Sequence, residues 1–326
     1  MSLEPNPISR SIKVGITLGD PSGIGPAITL KALDRLKGLA DFTVIGDSWV
    51  LNKARGARCA VRGINLIDLH NINRKKFAFG KIKAEYGRAS IEYLDKALEL
   101  LRDQEIDCLV TAPISKEAIN LAGCKYSGHT EYLLKRTRAS EAVMMLLNDK
   151  LRFSLVTRHI PLNRVSRAIT AGGLCNNMLI TCASLRRFFG IKKPRLVVCG
   201  LNPHASDNGI IGNEEKSLLE PAIEKVMRKE RVEVDGPLSS DIAVLRASRG
   251  QYDCVIAMYH DQALIPLKLT GTDTGVNLTL GLPFIRTSPL HGTGFDIAET
   301  PRKASPASMI AAVRTAVKCA SNLKRA

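Results

Sequence analysis

The chain has 326 residues, 45% of them hydrophobic, so it can bury a large core, and its length points to two domains or lobes. No apolar run reaches the roughly 18 residues of a membrane span and no signal peptide is visible, which argues against a membrane protein. The formal net charge of +16 is spread along the chain, with 5% aromatics and no basic tail, so it fits a field that draws in anionic substrates and cofactors better than nucleic-acid binding.

Eight cysteines lack paired spacing, and Cys108, Cys199 and Cys254 fall in apolar runs. That suits reduced thiols in a cytoplasmic protein better than a disulfide framework or a zinc ribbon. The lead up to Arg10 is polar and contains proline, and reads as a loose terminus.

IKVGITL (12–18) reads as a first strand and 27–36 as a helix. Between them GDPSGIGP supplies glycines for a tight turn, Pro26 for a first helical position, and Asp20 at the strand end. Further strands are expected at 41–47 and 64–69, then a polar, basic connection over 71–87. An amphipathic helix follows with Ile91, Leu94, Leu98 and Leu101 on its inner face. DCLVTAP (107–113) is another strand, and YSGHTEYLL (126–134) a helix entrance capped by Ser127 or Thr130. The runs 142–147 and 151–157 read as a hairpin across Asn148 and Asp149, and 173–189 as a long helix. After the strand in PRLVVCGLNPH, a helix is expected from Glu214 to about Lys229. GPLSSD (236–241) reads as a loop closing on a helix cap, with Asp241 either a first-turn carboxylate or a site acid. The stretch 268–298 is dense in glycine and polar residues, unlike a packed core, and a last helix from about Ala307 turns Met309, Ile310, Val313 and Val317 inward. Alternating strands and helices indicate an α/β fold with largely parallel sheets.

Three histidines occupy one topological place. His159, His204 and His260 each stand just past an apolar strand, where an open α/β sheet binds ligands. Each alone is more often a loop or helix-cap residue, but three converging imidazoles would hold a divalent metal and leave positions open for substrate. Lys268, Asn277 and Arg286 could supply two charges and an amide to a phosphate or carboxylate, or belong to a solvated loop with ordinary salt bridges.

GDPSGIGP, TAPISKEAI, GHTEYL, LNPHA, GPLSSD, YHDQ, the series Lys268–Asn277–Arg286 and HGT occur in the order of the 4-hydroxythreonine-4-phosphate dehydrogenases. The chain resembles that family from about Lys13 to Ala298, and LHGTGFDIA is similar to the cofactor loop of the wider isocitrate/isopropylmalate dehydrogenase superfamily. The resemblance implies a two-lobed α/β/α fold: a first lobe over 1–128 plus 290–326, and a second over 129–289 carrying the metal histidines. It implies a divalent metal (zinc, cobalt or magnesium) on His159, His204 and His260, and substrate contacts from His129, Thr130, Lys268, Asn277 and Arg286. NAD or NADP would lie against His291, Gly292 and Thr293, and Asp241, Asp261 and Lys268 are candidates for moving the proton. The active site is expected in a cleft at a homodimer interface, and the substrate to be a small phosphorylated anion.

The implied reaction is oxidation and decarboxylation of 4-phosphooxy-L-threonine to 3-amino-2-oxopropyl phosphate, in pyridoxal phosphate biosynthesis. Rival readings are a cousin acting on phosphorylated threonate or a cis-dihydrodiol carboxylate and, more distantly, a phosphate acyltransferase. Three residues depart from the family pattern: Ala27 where Glu is usual, Ile242 where Thr is usual, and Leu290 in place of the Asp before His291.

Overall fold

A computed structural model of the chain describes residues 11–55, 65–126, 128–230, 232–271 and 273–325. The expected loose terminus and the capping candidate Ser127 lie outside the described residues. In order, the elements are β1 (Lys13–Thr17), α1 (Gly25–Arg35), β2 (Asp41–Gly46), α2 (Ser48–Arg55), β3 (Asn65–Asp68), α3 (Ala84–Arg102), β4 (Cys108–Thr111), α4 (Lys116–Leu121) and α5 (His129–Thr137). The chain continues through β5 (Val143–Leu147), β6 (Arg152–Leu155), α6 (Val165–Ala168), α7 (Ala171–Phe189), β7 (Arg195–Cys199), α8 (Glu220–Glu230), β8 (Glu233–Leu238) and α9 (Ser240–Ser248). It closes with β9 (Cys254–Ala257), α10 (His260–Thr270), β10 (Val276–Leu280), β11 (Ile285–Pro289) and α11 (Ala307–Arg325).

Among the described residues the strands form one sheet in the order β3-β2-β1-β4-β11-β10-β5-β6-β9-β7-β8. The block from β3 to β11 is parallel, as is the block from β6 to β8. Antiparallel pairings of β10 with β11, β10 with β5, and β5 with β6 join them, so the two blocks run in opposite directions. This is the expected α/β fold, with an antiparallel centre. α11 packs on β4, β10 and β11 and against α7, burying Met309, Ala312, Val313 and Ala316, while Ile310 and Val317 are half-buried. No single helix among the described residues is long and apolar enough to cross a membrane, and the described cysteines are free thiols.

Several local expectations change. The stretch 268–298 is not a solvated loop: it contributes β10 and β11 to the middle of the sheet, and every residue of β11 is buried. Its polar residues sit on alternate positions facing a pocket, which hides the strands from a hydrophobicity pattern. α3 begins at Ala84 within the expected connection, and it buries Tyr93, Leu94, Ala97 and Leu100 while Ile91, Leu98 and Leu101 are half-buried. Two tyrosines, Tyr86 and Tyr93, rotate the inner face away from the aliphatic stripe. The hairpin turn is present, with Asn148 Oδ1 accepting from the amides of Lys150 and Leu151.

Candidate active site

The floor of the candidate site follows from strand alternation. Asn277 faces Ser288 on β11 and Leu146 on β5, and Thr279 faces Arg286 and Met144, so these six side chains share one face of three central strands. Above them lies a cavity of about 520 Å³, walled by the β4–α4 loop with Lys116, the start of α5, Arg158 to Ile160 after β6, His260, and Pro289 to Gly292.

Arg286 is 2% exposed, and among the described residues no carboxylate forms an ion pair with it, although the charge of Glu131 on the same pocket wall acts on it. Its Nε and Nη2 donate to Thr111 Oγ1 at 3.1 and 2.6 Å, and its Nη1 to Thr279 Oγ1 at 3.0 Å. Hydroxyls orient the guanidinium without neutralising it, and burial pushes its pKa down to about 10. His129 Nε2, Arg158 Nη1 and Asn277 Oδ1 are buried without a hydrogen-bond partner. Buried polar atoms are normally paired, so such orphans around one cavity mark groups awaiting a ligand. Burial, and then the Arg286 charge, hold the His129 pKa well below its ordinary value, so this imidazole is neutral.

Gly128 is the N-cap of α5, so Thr130 lies inside the helix, buried, rather than capping it. The rings of His159 and His260 stand 5.5 Å apart between centroids, tilted by 47°. His260 is not in a loop: it is the first residue of α10, its Nδ1 2.7 Å from Asp261 Oδ1. Burial, then the charges of Lys116, His260 and Arg158, lower the pKa of His159 and favour its neutral, metal-binding form.

β6, β9 and β7 are neighbouring parallel strands, so His159, His260 and His204 do follow three strands of one block. His204 nonetheless stays apart. It is exposed and opens a run of five residues, His204 to Asn208, all with positive φ. Among the described residues no three His, Cys, Asp or Glu side chains gather into a metal cage within one chain. The residues present therefore fit two of a cation's three expected protein ligands.

The pocket brings together His129, Thr130, His159, His260, Asn277, Arg286, His291 and Gly292. Asp241 and Asp261 line a neighbouring groove between α9 and α10, and Lys268 lies in the last turn of α10, outside the residues lining the pocket. Asp241 is exposed at the first turn of α9, and a hydrogen bond from Ser239 Oγ lowers its pKa. Asp20 follows β1, whose direction is opposite to that of β6, so it stands at the other edge of the sheet from the histidines. There the GDPSGIGP turn meets the HGT loop: Ile24 N donates to Thr293 O, and a Cβ at Gly23 would lie 2.7 Å from that carbonyl. Thr293 thus packs on this turn rather than lining the pocket. Of the departures, Ala27 is buried in α1, Ile242 is partly exposed on α9, and Leu290 lines the pocket beside His291.

Sequence reasoning missed Lys116, Glu131, Arg158, Thr111 and Thr279. Lys116 and Glu131 lie inside recognisable motifs, and Arg158 directly precedes His159. Thr111 opens the TAPISKEAI motif, but within it neither Thr111 nor, outside any motif, Thr279 stands out, because a threonine in a strand is ordinary.

The family model for the pyridoxal phosphate biosynthetic protein PdxA matches residues 36–316. The chain is 43% identical over 321 residues to a 4-hydroxythreonine-4-phosphate dehydrogenase of Sulfurihydrogenibium sp., covering 94% of this chain and 98% of that protein. It is 41% identical over 326 residues to the D-threonate 4-phosphate dehydrogenase of Salmonella typhimurium, again covering 94% and 98%. The crystal structure of the 4-hydroxythreonine-4-phosphate dehydrogenase from Klebsiella pneumoniae superposes with a TM-score of 0.86 at 36% identity, over 96% of this chain and 99% of that one. Together with the family match, this sequence identity over nearly the whole chain places the protein in the PdxA family of dehydrogenases, oxidoreductases acting on a CH–OH group.

Proposed function

We propose that this chain oxidises 4-phosphooxy-L-threonine at its C3 hydroxyl. Hydride passes to NAD or NADP and the hydroxyl proton to the enzyme, and the resulting β-keto acid loses carbon dioxide to give 3-amino-2-oxopropyl phosphate. The observation that carries this reading is Arg286, a fully buried cation whose hydrogen bonds among the described residues go to threonine hydroxyls, in a pocket with unpaired polar atoms. A dianionic phosphate or a carboxylate completes such a site through charge-assisted hydrogen bonds.

In this reading Arg286, Lys116 and Arg158 hold the anionic groups, and neutral His129, Thr130 and Asn277 position the polar atoms between them. Asp261 fixes the tautomer of His260 through its contact with Nδ1. The proton acceptor is one of Asp241, Asp261 and Lys268. His159 and His260 provide two ligands for a divalent cation (zinc, cobalt or magnesium), and His204 is assigned the third. When bound, the cation supplies Lewis acidity that lowers the pKa of a coordinated hydroxyl. His291, Gly292 and Thr293 are assigned to the nicotinamide cofactor.

The pocket draws on both proposed lobes, 1–128 with 290–326 and 129–289. A homodimer is supported by the exposed apolar side chains of α9 and α10 beside the groove that holds Asp241 and Asp261. A cytoplasmic location agrees with the free thiols.

D-threonate 4-phosphate is a second reading, favoured by the nearly equal identity to the Salmonella typhimurium enzyme. Reduced-nicotinamide formation assayed on each substrate in turn separates them, since oxidation at C3 makes a decarboxylating β-keto acid from either. Turnover of 4-phosphooxy-L-threonine is the expected result, and turnover of the threonate alone overturns the first reading.

A further inference from the structure

A second cavity, of about 460 Å³, opens on the opposite face of the sheet among the β5–β6 turn, the end of α7 and the exposed side of α11. Its walls carry four cations, Arg35, Arg152, Arg314 and Lys318, against one acid, Asp149. Among the described residues Arg35, Arg314 and Lys318 make no ion pair. Arg152 is held in place differently. Its guanidinium lies over the Phe189 ring, 4.7 Å from the centroid, and its Nη1 donates to the Asp253 carbonyl at 3.1 Å. Its Nε is buried without a partner. Like charges brought together around a concavity repel one another unless an anion sits between them, and an immobilised guanidinium with an unused donor is prepared for one.

We propose that this cavity is a second anion-binding site, taking a small molecule that carries two or more negative charges in phosphate groups. Its size admits a compact metabolite. Its position ties it to the first pocket through single residue steps: Val276 and Leu147 line this cavity, while Asn277 and Leu146, their neighbours in β10 and β5, line the other. A ligand here bears directly on the strands that floor the candidate active site. The site is independent of the proposed reaction, and its failure would leave that reading untouched.

Pyrophosphate is the probe, titrated calorimetrically into the full-length protein, with amide hydrogen exchange followed by mass spectrometry. Two classes of binding are expected. The double variant Arg314→Glu/Lys318→Glu, altered only at exposed positions, weakens one class at least tenfold and leaves the other. Arg286→Met removes the class that the double variant keeps. Pyrophosphate should also slow exchange in 148–152 and 310–318. The proposal is overturned by a single class that the double variant retains, or by protection confined to 128–131 and 286–292.

Discussion

Arg286 sets the electrostatics of the pocket. A buried charge with no ion-pair partner, only the charge of Glu131 acting on it from beyond contact, opposes folding, and its replacement by an apolar side chain of similar length is commonly neutral or stabilising. Arg286→Met should therefore keep or raise the melting temperature while kcat/KM falls by roughly a thousandfold or more, since the proposed charge-assisted contact to the substrate is lost. Thermal denaturation and steady-state kinetics on the same preparation check this, and parallel loss of both would mean that the arginine is structural.

His129 gives a pH signature. Its folded-state pKa lies well below the ordinary value near 6.5, so below that pH the unfolded chain binds a proton that the folded chain refuses. Stability should fall as pH drops below about 6.5, by up to ~1.4 kcal/mol per pH unit from this residue, and His129→Gln should flatten that slope in urea titrations between pH 7.5 and 5.5. Asp20 works in the other sense. Burial raises its pKa to about 6, so its cost is absent below the unfolded value and complete once pH exceeds the folded one. The stability difference between wild type and Asp20→Asn should shift toward the variant by on the order of 3 kcal/mol between pH 4 and 7. A difference constant with pH would show that Asp20 is ionised throughout.

At the level of elements, the run from His204 to Asn208 stands out. Positive φ is sterically unfavourable for residues with a Cβ, and five in succession store strain in the segment carrying the third metal-ligand candidate. Ala205, at φ 51°, should become more favourable as glycine, and Ala205→Gly should stabilise the protein by a few tenths to about 1 kcal/mol in denaturant titrations. Loss of stability would place the segment in another conformation in solution.

The same segment shows where sequence reading stops. The strands before His159, His204 and His260 were legible because each is a short apolar run closed by polar residues. That they are neighbours was also reachable, since parallel strands order themselves through crossover helices. The ring positions were not, because they depend on backbone dihedrals in the loops that follow. β10 and β11 were invisible for another reason: one face of each strand is the pocket floor, where Asn277, Thr279, Arg286 and Ser288 stand in place of hydrophobic residues. The glycines of GDPSGIGP, by contrast, were readable in full. A Cβ at Gly19, with φ +66°, would collide with the carbonyl oxygens of Ala112 and Pro113, and the turn closes only without one.

At the scale of the whole molecule, the two parallel blocks meet head to tail through β10 and β5, and the pocket lies over that seam. On the β6–β8 side, α9 and α10 leave Ile242, Leu245, Ile265 and Leu269 exposed by 38, 45, 59 and 82%. Spacings of three and four residues put each pair on one face of its helix, and the groove between the helices reaches Tyr259 and Asp261, next to His260. An apolar surface of this kind beside the candidate active site is costly to leave in water and fits a second copy of the chain. Ile265→Asp with Leu269→Asp should convert a dimer into a monomer in sedimentation velocity while the circular dichroism spectrum stays unchanged. Because this apolar face borders the His159–His260 pair, activity should fall with the proposed dimer, and wild-type specific activity should decline on dilution through the dissociation constant. An unaltered dimer in the double variant would move the interface elsewhere. A monomer with full activity would show that one chain suffices for the reaction, leaving His204 to reach the other two histidines by rearrangement of its own strained segment.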